Sequence, residues 1–87
     1  MYKAQPHKRA AKYYKSLDAK TAKRINRAVE KIMENPREGQ HIKKLMGKYE
    51  GKYRYEVGGL RIIYRILEDE KIVLIEAIGP RGDIYKQ

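Results

Sequence analysis

The pair Gly58-Gly59 constrains this chain more than any other two residues. It separates two runs, KYRYEV and LRIIYRI, in which charged and apolar side chains largely alternate. A two-residue glycine break between alternating runs predicts a tight β-hairpin with positive φ at its centre. Such a turn fixes the register: Val57 faces Leu60, Glu56 faces Arg61, Tyr55 faces Ile62, Arg54 faces Ile63, Tyr53 faces Tyr64 and Lys52 faces Arg65. Opposed residues share a side of the sheet, so one face reads Tyr53, Tyr55, Val57, Leu60, Ile62, Tyr64, Ile66. The other reads Lys52, Arg54, Glu56, Arg61, Ile63, Arg65. A slip of one residue would exchange the two faces, and the clean sorting favours this register over its neighbours.

The rest of the chain supplies what the apolar face needs. Tyr2 to Gln5 can form a short strand, and Pro6 suits the first turn of a following helix. In that helix Ala10, Tyr13, Tyr14 and Leu17 recur at spacings of three and four. Asp18 offers an N-cap to a second helix with the stripe Ala22, Ile25, Ala28, Val29, Ile32, Met33, which Asn35-Pro36 ends. The tyrosines at these spacings read as core residues whose hydroxyls reach the surface. Arg37 to Gly51 reads as a loop with one short strand turn, anchored by Ile42, Leu45 and Met46. Glu68-Asp69-Glu70 marks another turn before the strand KIVLIEAI. If Asp69-Glu70 is its centre, Tyr64 faces Ile75, Ile62 faces Ala77 and Arg61 faces Ile78, which brings Val73, Ile75 and Ala77 into the core.

The expected fold is α+β, a single domain spanning 1–87: an N-terminal strand and a helical hairpin packed on one face of a small, mainly antiparallel sheet. The opposite face would stay open and show Ile63, Ile72, Leu74 and Ile78, an apolar patch that a partner or a dimer contact would cover. With no cysteine, neither disulfides nor thiolate metal sites are available. No apolar run approaches the roughly 20 residues that cross a bilayer, and the N-terminus lacks a signal-peptide core, so a cytoplasmic protein is expected. The net charge of +10 on 87 residues favours polyanionic partners, nucleic acid first.

Position sharpens that expectation. Arg54 and Arg61 share the open face, and the loop Gly79-Pro80-Arg81-Gly82 leaves the sheet beside Arg61, so three guanidiniums can converge. Planar, permanently charged groups of this kind bind phosphate in bidentate fashion and stabilise phosphoryl transition states. Tyr85, four residues after Arg81, can reach the same place to stack on an unstacked base or donate a hydroxyl proton. Glu56 faces Arg61 and either forms an ion pair that positions the guanidinium or serves as a general base, although an adjacent arginine makes a carboxylate a weaker base. Lys52 and Arg65 on the same face, with Lys44 and Lys48 in the connecting segment, extend a basic surface for RNA. His7 and His41 stand apart from other ligand types, so no metal site and no cofactor are expected. Gly51-Lys52 lacks the Ser or Thr and the upstream glycine of a phosphate loop.

With the helical hairpin, KKLMG, YRYEVGGLRIIYRI and IGPRGDIY in this order, nearly the whole chain resembles the RelE/ParE superfamily of toxins, and its RelE branch more closely. The resemblance implies a toxin of a type II toxin–antitoxin pair, a ribosome-dependent endoribonuclease that cuts messenger RNA in the decoding site and is inhibited by a RelB-like antitoxin. It implies that Arg61 stabilises charge on the scissile phosphate, Arg81 assists the leaving 5′ oxygen or holds the phosphate, Arg54 contacts the backbone, and Tyr85 stacks on or orients a base. No metal is needed in that reaction. Glu56 stands where RelE-type enzymes commonly carry a basic residue, which leaves the general base among Glu56, a tyrosine and the ribosomal site. The shared scaffold also permits a ParE-like inhibitor of DNA gyrase, and the charge permits a noncatalytic RNA-binding module.

Overall fold

A computed structural model of the chain describes residues 1–80. The elements are β1 (Lys3–Pro6), α1 (Lys8–Lys15), α2 (Ala19–Glu34), β2 (Ile42–Lys44), β3 (Lys52–Val57), β4 (Leu60–Leu67) and β5 (Ile72–Pro80), with 3-10 turns at Gly47–Tyr49 and Glu68–Glu70. The strands form one sheet in the order β1-β5-β4-β3-β2, antiparallel throughout except that β1 runs parallel to β5. The expected α+β layering is what forms.

Local sequence explains where the elements start. The Asp18 carboxylate accepts from Thr21 N at 3.4 Å, capping α2 as its position suggests. The Thr21 side chain first, and its backbone N–H second, hold the Asp18 carboxyl below its usual value by hydrogen bonding. Pro6 departs from expectation: it ends β1, and His7 caps α1 through Nδ1, which accepts from Arg9 N at 3.3 Å. β1 is an edge strand, so the N–H that proline lacks leaves no ladder bond unmade.

The helices cover one sheet face. Ile25, Ala28 and Ile32, at positions i, i+3 and i+7 of α2, join Ala10 of α1 over Tyr55, Ile62, Tyr64, Val73, Ile75 and Ile78. Ile25, Ile32 and Ile62 are fully buried, and each contributes about 1.5–3 kcal/mol by leaving water. Tyr64 corrects the reading of core tyrosines with surface hydroxyls. Its ring stacks on Tyr53 at 5.6 Å, and its buried hydroxyl donates to the Pro36 carbonyl at 2.6 Å.

The β3–β4 register is the one the glycine pair implied, from Val57↔Leu60 to Lys52↔Arg65. The turn itself uses positive φ at Gly58 only, +58°, and not at Gly59. Between β4 and β5 the expected pairing holds at Tyr64↔Ile75 and then shifts, giving Ile63↔Ala77, Ile62↔Ile78 and Arg61↔Gly79. An extra residue, Glu76, stands in β5 at this bulge, and two consecutive side chains then share a face. Ile78 therefore enters the helix-covered core, while Ala77 joins Ile63 and Leu45 on the opposite face. Both reverse the sequence expectation. Met46, expected to anchor the connection, is 75% exposed; Ile42 and Leu45 do the anchoring, one to each face.

Candidate functional site

The open face is built from alternate residues of β3 and β4, with the free side of β2 beside them. Strand pairing sets Arg54 opposite Ile63 and Lys43, and Glu56 opposite Arg61. Neighbours of this kind on one face lie within side-chain reach. Oε1 of Glu56 accepts from Arg61 Nη2 at 3.2 Å and from Arg54 Nη1 in a shorter contact, so a single carboxylate oxygen holds both guanidiniums. The arginine side chains are 17% and 14% exposed, against 36% for Glu56. Each pair contributes only about 0–1 kcal/mol at such partly wet sites. The organising effect is larger than the energetic one. Two like charges that would otherwise separate are fixed about a common acceptor, in the geometry that one phosphate oxygen would require.

Further along the face a second acid gathers two cations, one on each of its carboxylate oxygens. Glu76, presented by the bulge, pairs with Lys52 at 2.8 Å and with Arg65 at 2.9 Å. Ile63, expected to be on show on this face, is instead buried at 5% exposure in a small cluster with Ala77 and partly buried Leu45. A concavity of about 240 Å³ opens beside the arginine pair, lined by Gln40, His41, Ile42, Lys43, Arg54 and Glu56.

Of the residues singled out in the sequence, Arg54, Arg61 and Glu56 come together, and Lys52 and Arg65 gather on Glu76 of the same face. Lys44 does not join them. It pairs with Tyr53, whose side chain faces the helices, and the period of two gives the open face to Lys43 instead. Lys48 sits in the turn Gly47–Tyr49 with its ammonium 5.4 Å from the Tyr49 ring centroid. Arg81 and Tyr85 lie outside the described residues; Pro80, the last of them, pairs with Leu60, next to Arg61. The sequence reading missed Glu76, Lys43 and His41. Glu76 was legible as the lone acid in VLIEAI, whereas Lys43 and His41 depend on the short β2 pairing.

Comparison with known proteins decides the family. Residues 5–85 match the family model for the ParE toxin of the type II toxin–antitoxin system parDE. The chain belongs to this toxin family, within the RelE/ParE superfamily. A Methanocaldococcus jannaschii protein that carries the name toxin RelE1 is 33% identical over 87 residues, 98% of this chain and 96% of its own. Among solved structures, the archaeal RelE–RelB complex from Pyrococcus horikoshii matches at TM-score 0.76 and 29% identity, over 93% of this chain and 96% of that one. The intact RelBE toxin–antitoxin complex of E. coli matches at TM-score 0.81 over 94% and 99%, and at 20% identity it shows a shared fold. The toxin fold thus carries, in this member, an acid-bridged arginine pair on its uncovered sheet face.

Proposed function

We propose that this toxin is a ribosome-dependent endoribonuclease that cleaves messenger RNA in the decoding site. The observation that carries the reading is the meeting of Arg54 and Arg61 on one acceptor oxygen, beside the point where the chain runs on to Arg81. In the reaction a ribose 2′-oxygen attacks the adjacent phosphorus, the bond to the 5′ oxygen breaks, and a cyclic phosphate and a 5′-hydroxyl result. The 2′-hydroxyl proton passes to a base, and the leaving oxygen takes up a proton. Arg61 neutralises the charge that grows on the phosphate, Arg54 holds the backbone, Arg81 serves the leaving oxygen and Tyr85 stacks on a base. Fixed guanidiniums suit this task because they need no reorganisation as charge develops. Glu56 positions both arginines until a phosphate takes its place.

The partner in this reading is an antitoxin encoded with the toxin, which supplies negative charge and covers the open face. The 29% identity to the toxin of an archaeal RelE–RelB complex supports it. Cleavage ends mapped by primer extension in a translating extract test the activity. Wild-type protein should produce new messenger ends, and Arg61→Ala should abolish them while the fold is retained; equal cleavage by both removes the proposal. The matched family model bears the name of ParE, which favours gyrase inhibition as the second reading. Loss of supercoiling by purified gyrase, with messengers left intact, would establish it instead.

A further inference from the structure

A second concavity, of about 250 Å³, lies between α2 and the β3–β4 hairpin, lined by Arg24, Arg27, Ala28, Lys31, His41, Tyr55, Glu56, Val57 and Gly58. His41 and Glu56 belong to its wall and equally to the wall of the concavity beside Arg54. The two hollows are therefore neighbours across one ridge. On the α2 side the charge is arranged by helical spacing: Arg24, Arg27 and Lys31 stand at i, i+3 and i+7 around buried Ala28, which puts all three on one face. All three are exposed, and among the described residues no carboxylate pairs with them. This contrasts with the sheet face, where every basic residue of the two clusters is tied to Glu56 or Glu76. His41 presents an exposed ring at the ridge, its centroid 5.6 Å from that of Tyr55.

We infer that the RNA path extends beyond the arginine pair, over His41 and into the α2 cleft, where Arg24, Arg27 and Lys31 hold the phosphates of flanking nucleotides. The inference rests on the RNA reading of the sheet site and adds a second binding segment to it. A basic groove punctuated by an aromatic ring is how single strands are held without sequence preference, phosphates on the cations and a base on the ring. An acidic protein segment would satisfy the charges of the cleft alone. Continuity with the Arg54 hollow, through shared walls, favours the RNA strand that the proposed reaction places in that hollow.

The test uses the full chain and 2′-O-methyl RNA, which binds but lacks the attacking hydroxyl, at lengths of about 4 and about 12 nucleotides, the range one small fold covers. Affinity is measured by anisotropy against salt for wild type and for Arg24→Gln/Arg27→Gln/Lys31→Gln, with circular dichroism to confirm folding. Each lost phosphate contact reduces the log–log salt slope by about 0.7 for a single strand, so the triple variant should lose about 2 with the longer RNA. The shorter RNA should bind both proteins alike, and Arg24→Lys/Arg27→Lys should keep the wild-type slope. An unchanged slope with the longer RNA overturns the inference. So does an unchanged slope accompanied by loss of antitoxin binding, which would assign the cleft to an acidic protein. Failure of wild-type cleavage in the translating extract ends the nuclease reading separately, because it leaves this slope unaffected.

Discussion

Tyr64 illustrates how much one hydroxyl decides. The side chain is fully buried, and burial pushes its phenol well above the ordinary tyrosine value, so it stays protonated and donates to Pro36. That bond ties the centre of the sheet to the exit of α2. In Tyr64→Phe the ring stays and the Pro36 carbonyl loses its donor, and a buried acceptor left unsatisfied costs about 1–3 kcal/mol. Urea denaturation should show the midpoint falling with an unchanged m-value. The inward direction of Tyr64 was readable from the alternation around Gly58-Gly59. Its partner was not, because Pro36 lies 28 residues away and no local pattern relates the two. Glu56 is similar: its pairing with Arg61 followed from register, whereas its simultaneous hold on Arg54 required side-chain geometry.

At the scale of elements, the register of the β3–β4 hairpin was legible, though not the inequivalence of its two glycines, and the β4–β5 pair only half so. Two glycines in a row leave one register in which both faces sort cleanly, and a short turn transmits that register along the strands. Within the turn the glycines are not equivalent. Gly58 holds a φ of +58° with Arg24 3.6 Å from where a Cβ would stand, while Gly59 has open space and no positive φ. Gly58→Ala should cost about 1–2 kcal/mol from left-handed backbone strain. Gly59→Ala should stay within about 0.5 kcal/mol of wild type, as open surface substitutions do. Thermal melts of the two variants check this directly. The β4–β5 bulge left no comparable mark. VLIEAI reads equally well with either Ala77 or Ile78 inward, and the choice falls to the larger side chain because packing under α1 and α2 rewards its volume.

For the whole molecule, the ends of the fold are tied at one carboxylate. Glu68, in the turn between β4 and β5, accepts from the Tyr2 hydroxyl at 2.8 Å and pairs with Arg37 at 2.9 Å and with Lys71. Hydrogen bonds from Lys71 first, then Tyr2 and Arg37, draw its pKa down from the ordinary carboxylate value to about 2. A carboxyl whose folded value is depressed stabilises the fold above its unfolded value, and that contribution is lost as pH falls through the folded one. The melting temperature of wild type should therefore exceed that of Glu68→Gln at neutral pH, with the gap closing between about pH 4.5 and 2. A gap that stays constant across this window would show that the contacts matter only for packing.

The amino-acid sequence by itself determined the hairpin, the two amphipathic helices, the α+β layering and the basic sign of the open face, because each follows from periods of 2 and 3.6 and from residues that start or stop an element. It also placed Arg54, Arg61 and Glu56 together, since an antiparallel register converts spacing along the chain into proximity. Tertiary structure alone decided the bulge in β5, the exchange of Ala77 for Ile78 in the core, and the adjoining of the α2 cleft to the arginine pair. Those outcomes depend on how layers distant in sequence fill space against each other, and no short-range pattern encodes that.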